Sequence, residues 1–203
     1  MVKHFLAAIL LISVVSVANA GIEAWNCHDD GDGGINMQPP VMTDDERDPL
    51  YPTVPSYKLS MTGVQNFDTA HVLGNFTVDG DPIVWIMEEV NNNTNFAWTG
   101  YVFDVFMSET FTFTGVTAPL GWDYIILPPT YGHLFPHSTN TFGYRGTVVF
   151  SGGDAIAVGD SGSFGVKVKF DGSVAFCTEQ AAIPEPATMA LLGLGALGFI
   201  RRK

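Results

Sequence analysis

From Tyr57 onward, apolar and polar residues alternate in short runs separated by Gly, Asn, Asp and Pro. The clearest case starts at Trp98 and continues through Tyr101, Phe103, Val105 and Met107. Phe111 and Phe113 follow on one face, with Thr110, Thr112 and Thr114 on the other. Val166, Val168 and Phe170 alternate with Lys167 and Lys169. A period of two puts one set of side chains on each face of a pleated strand. The pattern predicts strands at 57–63, 71–78, 83–90, 98–107, 110–116, 122–127, 146–150, 155–158, 163–170 and 173–177. Asp79-Gly80 and Asp171-Gly172 have the composition of tight hairpin turns, and the best predicted hairpin spans Gly165 to Cys177. No segment of the body sustains a helical period. The predicted fold is all-β, an antiparallel β-sandwich of about 8–10 strands.

Two stretches break the pattern. Residues 21–56 hold two acidic clusters, Asp29-Asp30-Gly31-Asp32 and Asp44-Asp45-Glu46-Arg47-Asp48, and five prolines. They predict a loop-rich acidic arm that covers a sheet edge. Pro128 to Asn140 predicts a second irregular stretch. Asn91-Asn92-Asn93-Thr94-Asn95 predicts a polar loop between two strong strands.

The ends are different again. Met1 to Ala20 has a short basic start (Lys3, His4), an apolar run from Phe5 to Val17, and an Ala18-Asn19-Ala20 cleavage pattern. These parts predict a secretory signal peptide, with the mature chain expected to begin at Gly21. The run is shorter than the roughly 20 apolar residues that span a membrane. At the other end, Ile183-Pro184-Glu185-Pro186 leads into an apolar stretch from Met189 to Ile200, and Arg201-Arg202-Lys203 closes the chain. A short apolar helix stopped by cations suits a pause at the membrane, with the basic residues on the cytoplasmic side. The expected organisation is signal peptide 1–20, arm 21–56, β-sandwich 57–182, and sorting or anchor segment 183–203 with a short hydrophobic helix.

The Pro184-Glu185-Pro186 triplet, the apolar stretch and the Arg201-Arg202-Lys203 cluster together resemble the PEP-CTERM sorting signal. The resemblance implies a substrate of an exosortase, a membrane enzyme that recognises and processes the tail. It implies export to the bacterial envelope, cell surface or exterior, with transient anchoring by the C-terminus, in an exopolysaccharide or biofilm setting. The resemblance covers 183–203 and carries no activity for the body. The segment from Val90 to Tyr101 also resembles a stretch of other such surface proteins.

Charge narrows the partners. The chain has 9 basic and 21 acidic residues, a net charge of -12. All the acidic residues lie between Glu23 and Glu185, and only five basic ones lie in that interval. Such a body disfavours nucleic acid as a partner, because phosphate contacts need clustered Lys and Arg.

The body offers little recognisable chemistry. Cys27 and Cys177 lack C-x-x-C spacing, which argues against a zinc or thioredoxin-like site. In an oxidising compartment they are candidates for a disulfide. Asp29, Asp30 and Asp32 resemble the start of a calcium loop, but position 12 from Asp30 is Val41 rather than Glu, so calcium is a weak candidate. His133 and His137 are separated by Pro136, which rules out a helical metal face. Gly159-Asp160-Ser161-Gly162-Ser163 superficially resembles a protease nucleophile segment, but Gly159 to Gly165 reads better as a turn between strands. Glu88 and Glu89 are adjacent, so on a strand they point to opposite faces. No nucleophile elbow, P-loop, dinucleotide fingerprint or H-E-x-x-H is present.

The expectation is therefore a non-enzymatic structural or interaction protein, with no cofactor. Its expected partners are the processing enzyme, extracellular polysaccharide, and the membrane through the tail. The alternative is a carbohydrate-binding sandwich that uses Trp98, Tyr101, Trp122 or Tyr124 as a platform, with or without calcium. A third reading is a hydrolase with an unrecognised site.

Overall fold

A computed structural model describes residues 22–29, 31–78, 81–134, 142–171 and 175–185. They form twelve strands: β1 (Ile22–Asp29), β2 (Ile35–Met37), β3 (Val41–Asp44), β4 (Ser56–Gln65), β5 (Thr69–Val78), β6 (Ile83–Asn92), β7 (Trp98–Met107), β8 (Phe111–Thr117), β9 (Asp123–Leu134), β10 (Phe142–Ile156), β11 (Ser161–Phe170) and β12 (Ala175–Pro184). No helix occurs among the described residues. The expected signal peptide and hydrophobic C-terminal helix lie outside them.

The strands make two sheets. One has the order β1-β5-β12-β7-β10-β9, and the other β2-β4-β6-β11-β8, with β3 also paired to β4. The sheets face each other across one core. Trp98, Tyr101, Phe103 and Phe150 enter it from the first sheet, and Leu59, Ile86, Phe164 and Val166 from the second. Tyr101 stacks on Phe164 with ring centroids 4.1 Å apart, and Phe150 meets the same ring at 5.2 Å. The alternating set of β7 is thus wholly buried, as its pattern predicts.

Three expectations need correction. Neither predicted hairpin forms. β5 and β6 belong to different sheets, as do β11 and β12. Alternation tells which residues face the core but not which strand is the neighbour, and here the chain crosses the core at these points. Second, the sheets are not purely antiparallel, because β4 and β6 run parallel. Parallel neighbours need a crossover connection, and β5, in the opposite sheet, is that crossover. Third, β9 runs through Pro128 and Pro129, where an irregular stretch was expected. Its partners shift from Arg145↔Thr130 to Thr147↔Leu127, so both prolines fall in a bulge. An edge strand needs its N–H groups on one side only, which is where proline is tolerated.

The acidic arm is more ordered than its composition suggests. β1 covers the β5 edge of one sheet, while β2 and β3 lie along β4 at the edge of the other. Asp45 and Asp48 then reach the outer face of the second sheet, where Lys167 Nζ sits 3.2 and 3.7 Å from their carboxylates. The same ammonium lies over Trp85, and Lys169 lies over Tyr51. The lysines that alternate with Val166 and Val168 thus anchor the arm.

Candidate functional site

Among the described residues, the segment with a motif-level role is the start of the tail, and it is part of the fold. Ala182 is buried, and its N–H donates to Asp68 O at 2.7 Å. Ile183 pairs with Gly100, and Pro184 with Trp98. Gly100 leaves room for Ile183, since a Cβ on it would lie 2.9 Å from Ile183 Cδ1 and that side chain would have to shift. Thr99 Oγ1 donates to Pro184 O at 3.3 Å, and Glu185 N donates to Ala97 O at 3.1 Å. Pro184 and Glu185 are therefore the last rung of β12 against β7. The boundary expected between 182 and 183 falls inside a strand. Pro186, Arg201, Arg202, Lys203, Ala18 and Ala20 lie outside the described residues.

The Asn-rich loop beside this rung is built around a buried amide. Asn92 Nδ2 donates to Phe96 O at 2.9 Å and Ile156 O at 3.0 Å. Its Oδ1 accepts from Thr94 N at 3.0 Å and Thr94 Oγ1 at 2.6 Å. Trp98 Nε1 donates to the same threonine oxygen at 3.1 Å. An asparagine bonding the backbone two residues on is an Asx turn, and here it closes the end of the core. Asn93 Nδ2 reaches Asn66 Oδ1 at 2.8 Å, joining this loop to the β4–β5 turn. An open groove of about 520 Å³ lies between Asn66–Asp68 and Asn93–Phe96.

A second polar group lies inside the core. Tyr101 Oη is 2.7 Å from both Gln65 Oε1 and Gln180 Oε1. Gln180 Nε2 lies 2.5 Å from Glu88 Oε2, and Glu88 Oε1 has no hydrogen-bond partner. Burial pushes the Glu88 carboxyl up to about 8, opposed by its bond to Gln180. Burial, and then the Glu88 charge, also hold the Tyr101 phenol well above its ordinary range. Adjacent Glu89 is exposed, so the two carboxylates do point to opposite faces. Sequence reasoning did not bring Gln65, Tyr101, Glu88 and Gln180 together, since they come from four strands.

On the outer face of the first sheet, Arg145 Nη2 lies 2.6 Å from Asp104 Oδ2, and Thr147 Oγ1 also donates to that carboxylate. The bond to Asp104 raises the Arg145 pKa, a shift opposed by burial. His71 Nε2 meets Glu179 Oε2 at 3.0 Å.

The other candidates sit elsewhere. Asp32 Oδ1 accepts from Gly34 N at 2.6 Å in its own turn. Asp29 ends β1, its side chain lies outside the described set, and Asp30 lies outside altogether. Among the described residues, no three His, Cys, Asp or Glu side chains converge as a metal site. Cys27 pairs with Gly74 and Cys177 with Leu73, so β5 separates their strands. Two interstrand steps are about 10 Å, beyond the roughly 7 Å between Cα atoms that a disulfide spans. This register does not support the bridge. His133 is exposed on β9 beside Thr130, and His137 lies outside the described residues. Gly159, with φ 92°, lies in a turn, but Ser161 to Gly165 are already strand β11, so the turn is shorter than the Gly159–Gly165 stretch expected. Of the four platform aromatics, Trp98, Tyr101 and Trp122 are buried, so they cannot stack on a sugar, and Tyr124 alone is exposed.

The fold and site together define a two-sheet β protein whose central strand runs into a C-terminal tail. Residues 182–203 match the PEP-CTERM protein-sorting motif. The motif implies export and sorting to the cell envelope or surface, with processing by an exosortase-type membrane enzyme. No curated protein and no solved structure matches the chain.

Proposed function

We propose that the chain is a non-enzymatic structural or interaction protein of the bacterial surface or extracellular matrix. Its body, a β-sandwich, is the cargo that the sorting tail delivers. The supporting observation is the continuity of the two parts: the motif match starts at buried Ala182, inside the last strand, so the body ends where the signal begins. With Met189 only a few residues past Glu185, the Asn-rich end of the body lies close to the membrane while the tail is engaged. Extended chain covers about 3.3–3.6 Å per residue, so this separation is on the order of 14 Å. Exopolysaccharide is the proposed extracellular partner, in line with an acidic body that repels anionic lipid and nucleic acid. The carbohydrate-platform alternative retains only Tyr124.

Intact mass and fractionation in the native host test the proposal. A chain from Gly21 to about Pro186, recovered outside or on the surface and co-sedimenting with polysaccharide, is the expected result. A chain that keeps Met189–Lys203 and stays in the membrane would mean that the tail is only an anchor.

A further inference from the structure

β9 is the outermost strand of its sheet, and β10 is its only strand neighbour among the described residues. Its exposed residues are nevertheless apolar on both faces. Ile125 is 61% exposed and Leu127 52% on one side, with Tyr124 at 47% and Ile126 at 38% on the other. A long, exposed apolar edge strand is a template for pairing with another chain, and proteins usually blunt such an edge with charge. Here the charge is missing: none of the 21 acidic residues lies between Asp123 and Asp154.

That gap argues for one occupant. Two copies of a chain with net charge -12 repel each other over most of their surfaces, and β9 is where they can meet without opposing carboxylates. A strand paired antiparallel with its own copy is self-complementary about a two-fold axis. Pro128 and Pro129 limit the usable stretch, because they have no N–H to offer. We infer that the stretch from Asp123 to Leu127 pairs edge to edge with the same stretch of a second copy, with the axis near Ile125 or Ile126.

The register adds a consequence. Asp123 pairs with Ser151, Ser151 with Gly100, and Gly100 with Ile183, so β9 begins at the end of the sheet where the tail leaves. Antiparallel pairing sends the two Glu185 ends to opposite poles. It joins released molecules, or molecules on facing surfaces, rather than neighbours anchored side by side. The pairing itself does not depend on the tail. This consequence rests on the proposed sorting.

The test is disulfide trapping of the exported full chain in its host. Ile125→Cys and Ile126→Cys are made singly, with Val158→Cys as an exposed control on another loop, and samples run on non-reducing gels. Paired residues sit with Cβ atoms about 4.5–5.5 Å apart, close enough to trap. Expected is a covalent dimer from at least one β9 position and none from Val158→Cys. Ile125→Lys should weaken self-association in sedimentation velocity at least ten-fold while leaving the thermal melt unchanged. Absence of trapping at both β9 positions, equal trapping at Val158→Cys, or association untouched by a folded Ile125→Lys protein overturns the inference. Intact mass of the same samples reports the tail separately, so failure of the sorting proposal would be seen independently.

Discussion

Replacing Glu88 with glutamine should make the protein more stable at neutral pH and flatten its stability profile. The side chain lies in the core with its carboxyl held at about 8, against an ordinary value of 4.5. The unfolded carboxyl is ionised above pH 4.5, while the folded one stays protonated until about pH 8. Unfolding therefore releases a proton throughout that window, and rising pH favours the unfolded state. The contribution is fully present below pH 4.5 and is lost as pH rises through 8. At 1.36 kcal/mol per unit, the whole shift amounts to about 5 kcal/mol, of which about 3 is lost by pH 7.

The bond from Gln180 Nε2 favours the charged form, but the opposite orientation of the amide would favour the neutral one. Tyr101 has one hydroxyl proton but two amide oxygens at 2.7 Å. The oxygen and nitrogen of an amide are nearly isosteric, so the Gln180 amide can be turned over. Its nitrogen then donates to Tyr101, which donates to Gln65, and its oxygen accepts the Glu88 proton across 2.5 Å. Glu88→Gln keeps a donor at that place and removes the titration. Urea unfolding followed by tryptophan fluorescence, at half-unit steps from pH 5 to 8, measures the difference. The wild type should lose about 1.4 kcal/mol per unit relative to the variant. Parallel pH profiles for the two proteins would refute a protonated Glu88.

Asn92→Ala removes the side-chain partner of Ile156 O and Thr94 N and one of the two side-chain donors to Phe96 O, and should cost about 2–4 kcal/mol in denaturant unfolding. Lys167→Met removes the cation from beside the buried Asp48 carboxylate and the half-buried Asp45. It should destabilise by about 3 kcal/mol and open 45–55 to limited proteolysis. Thr99→Val removes the bond to Pro184 O. Losing about 1 kcal/mol from the last rung of β12 should speed conversion of precursor to mature chain about five-fold in a pulse-chase, if the rung must open for processing.

The strands that alternation revealed are those with apolar inward faces, such as β7, β8 and β11. β12 was read only as far as Cys177, and the reason is chemical. Its inward residues beyond that point, Thr178 and Gln180, are polar and fully buried. They serve the network that joins Tyr101, Gln65 and Glu88, and a buried polar residue looks like a solvated one in a linear pattern. The same effect hid Asn92 inside a run of asparagines, where it is the one that ties the loop to the core. The motif residues Pro184 and Glu185 were legible because their signal is local, three residues in a row before an apolar stretch. Their place in the fold was not, because it depends on β7, more than eighty positions upstream. A sorting signal usually reads as a separate appendage. Here the strand that completes the core also carries the start of the signal, so a substitution that loosens one end of the sheet alters both the stability of the body and the access of the processing enzyme.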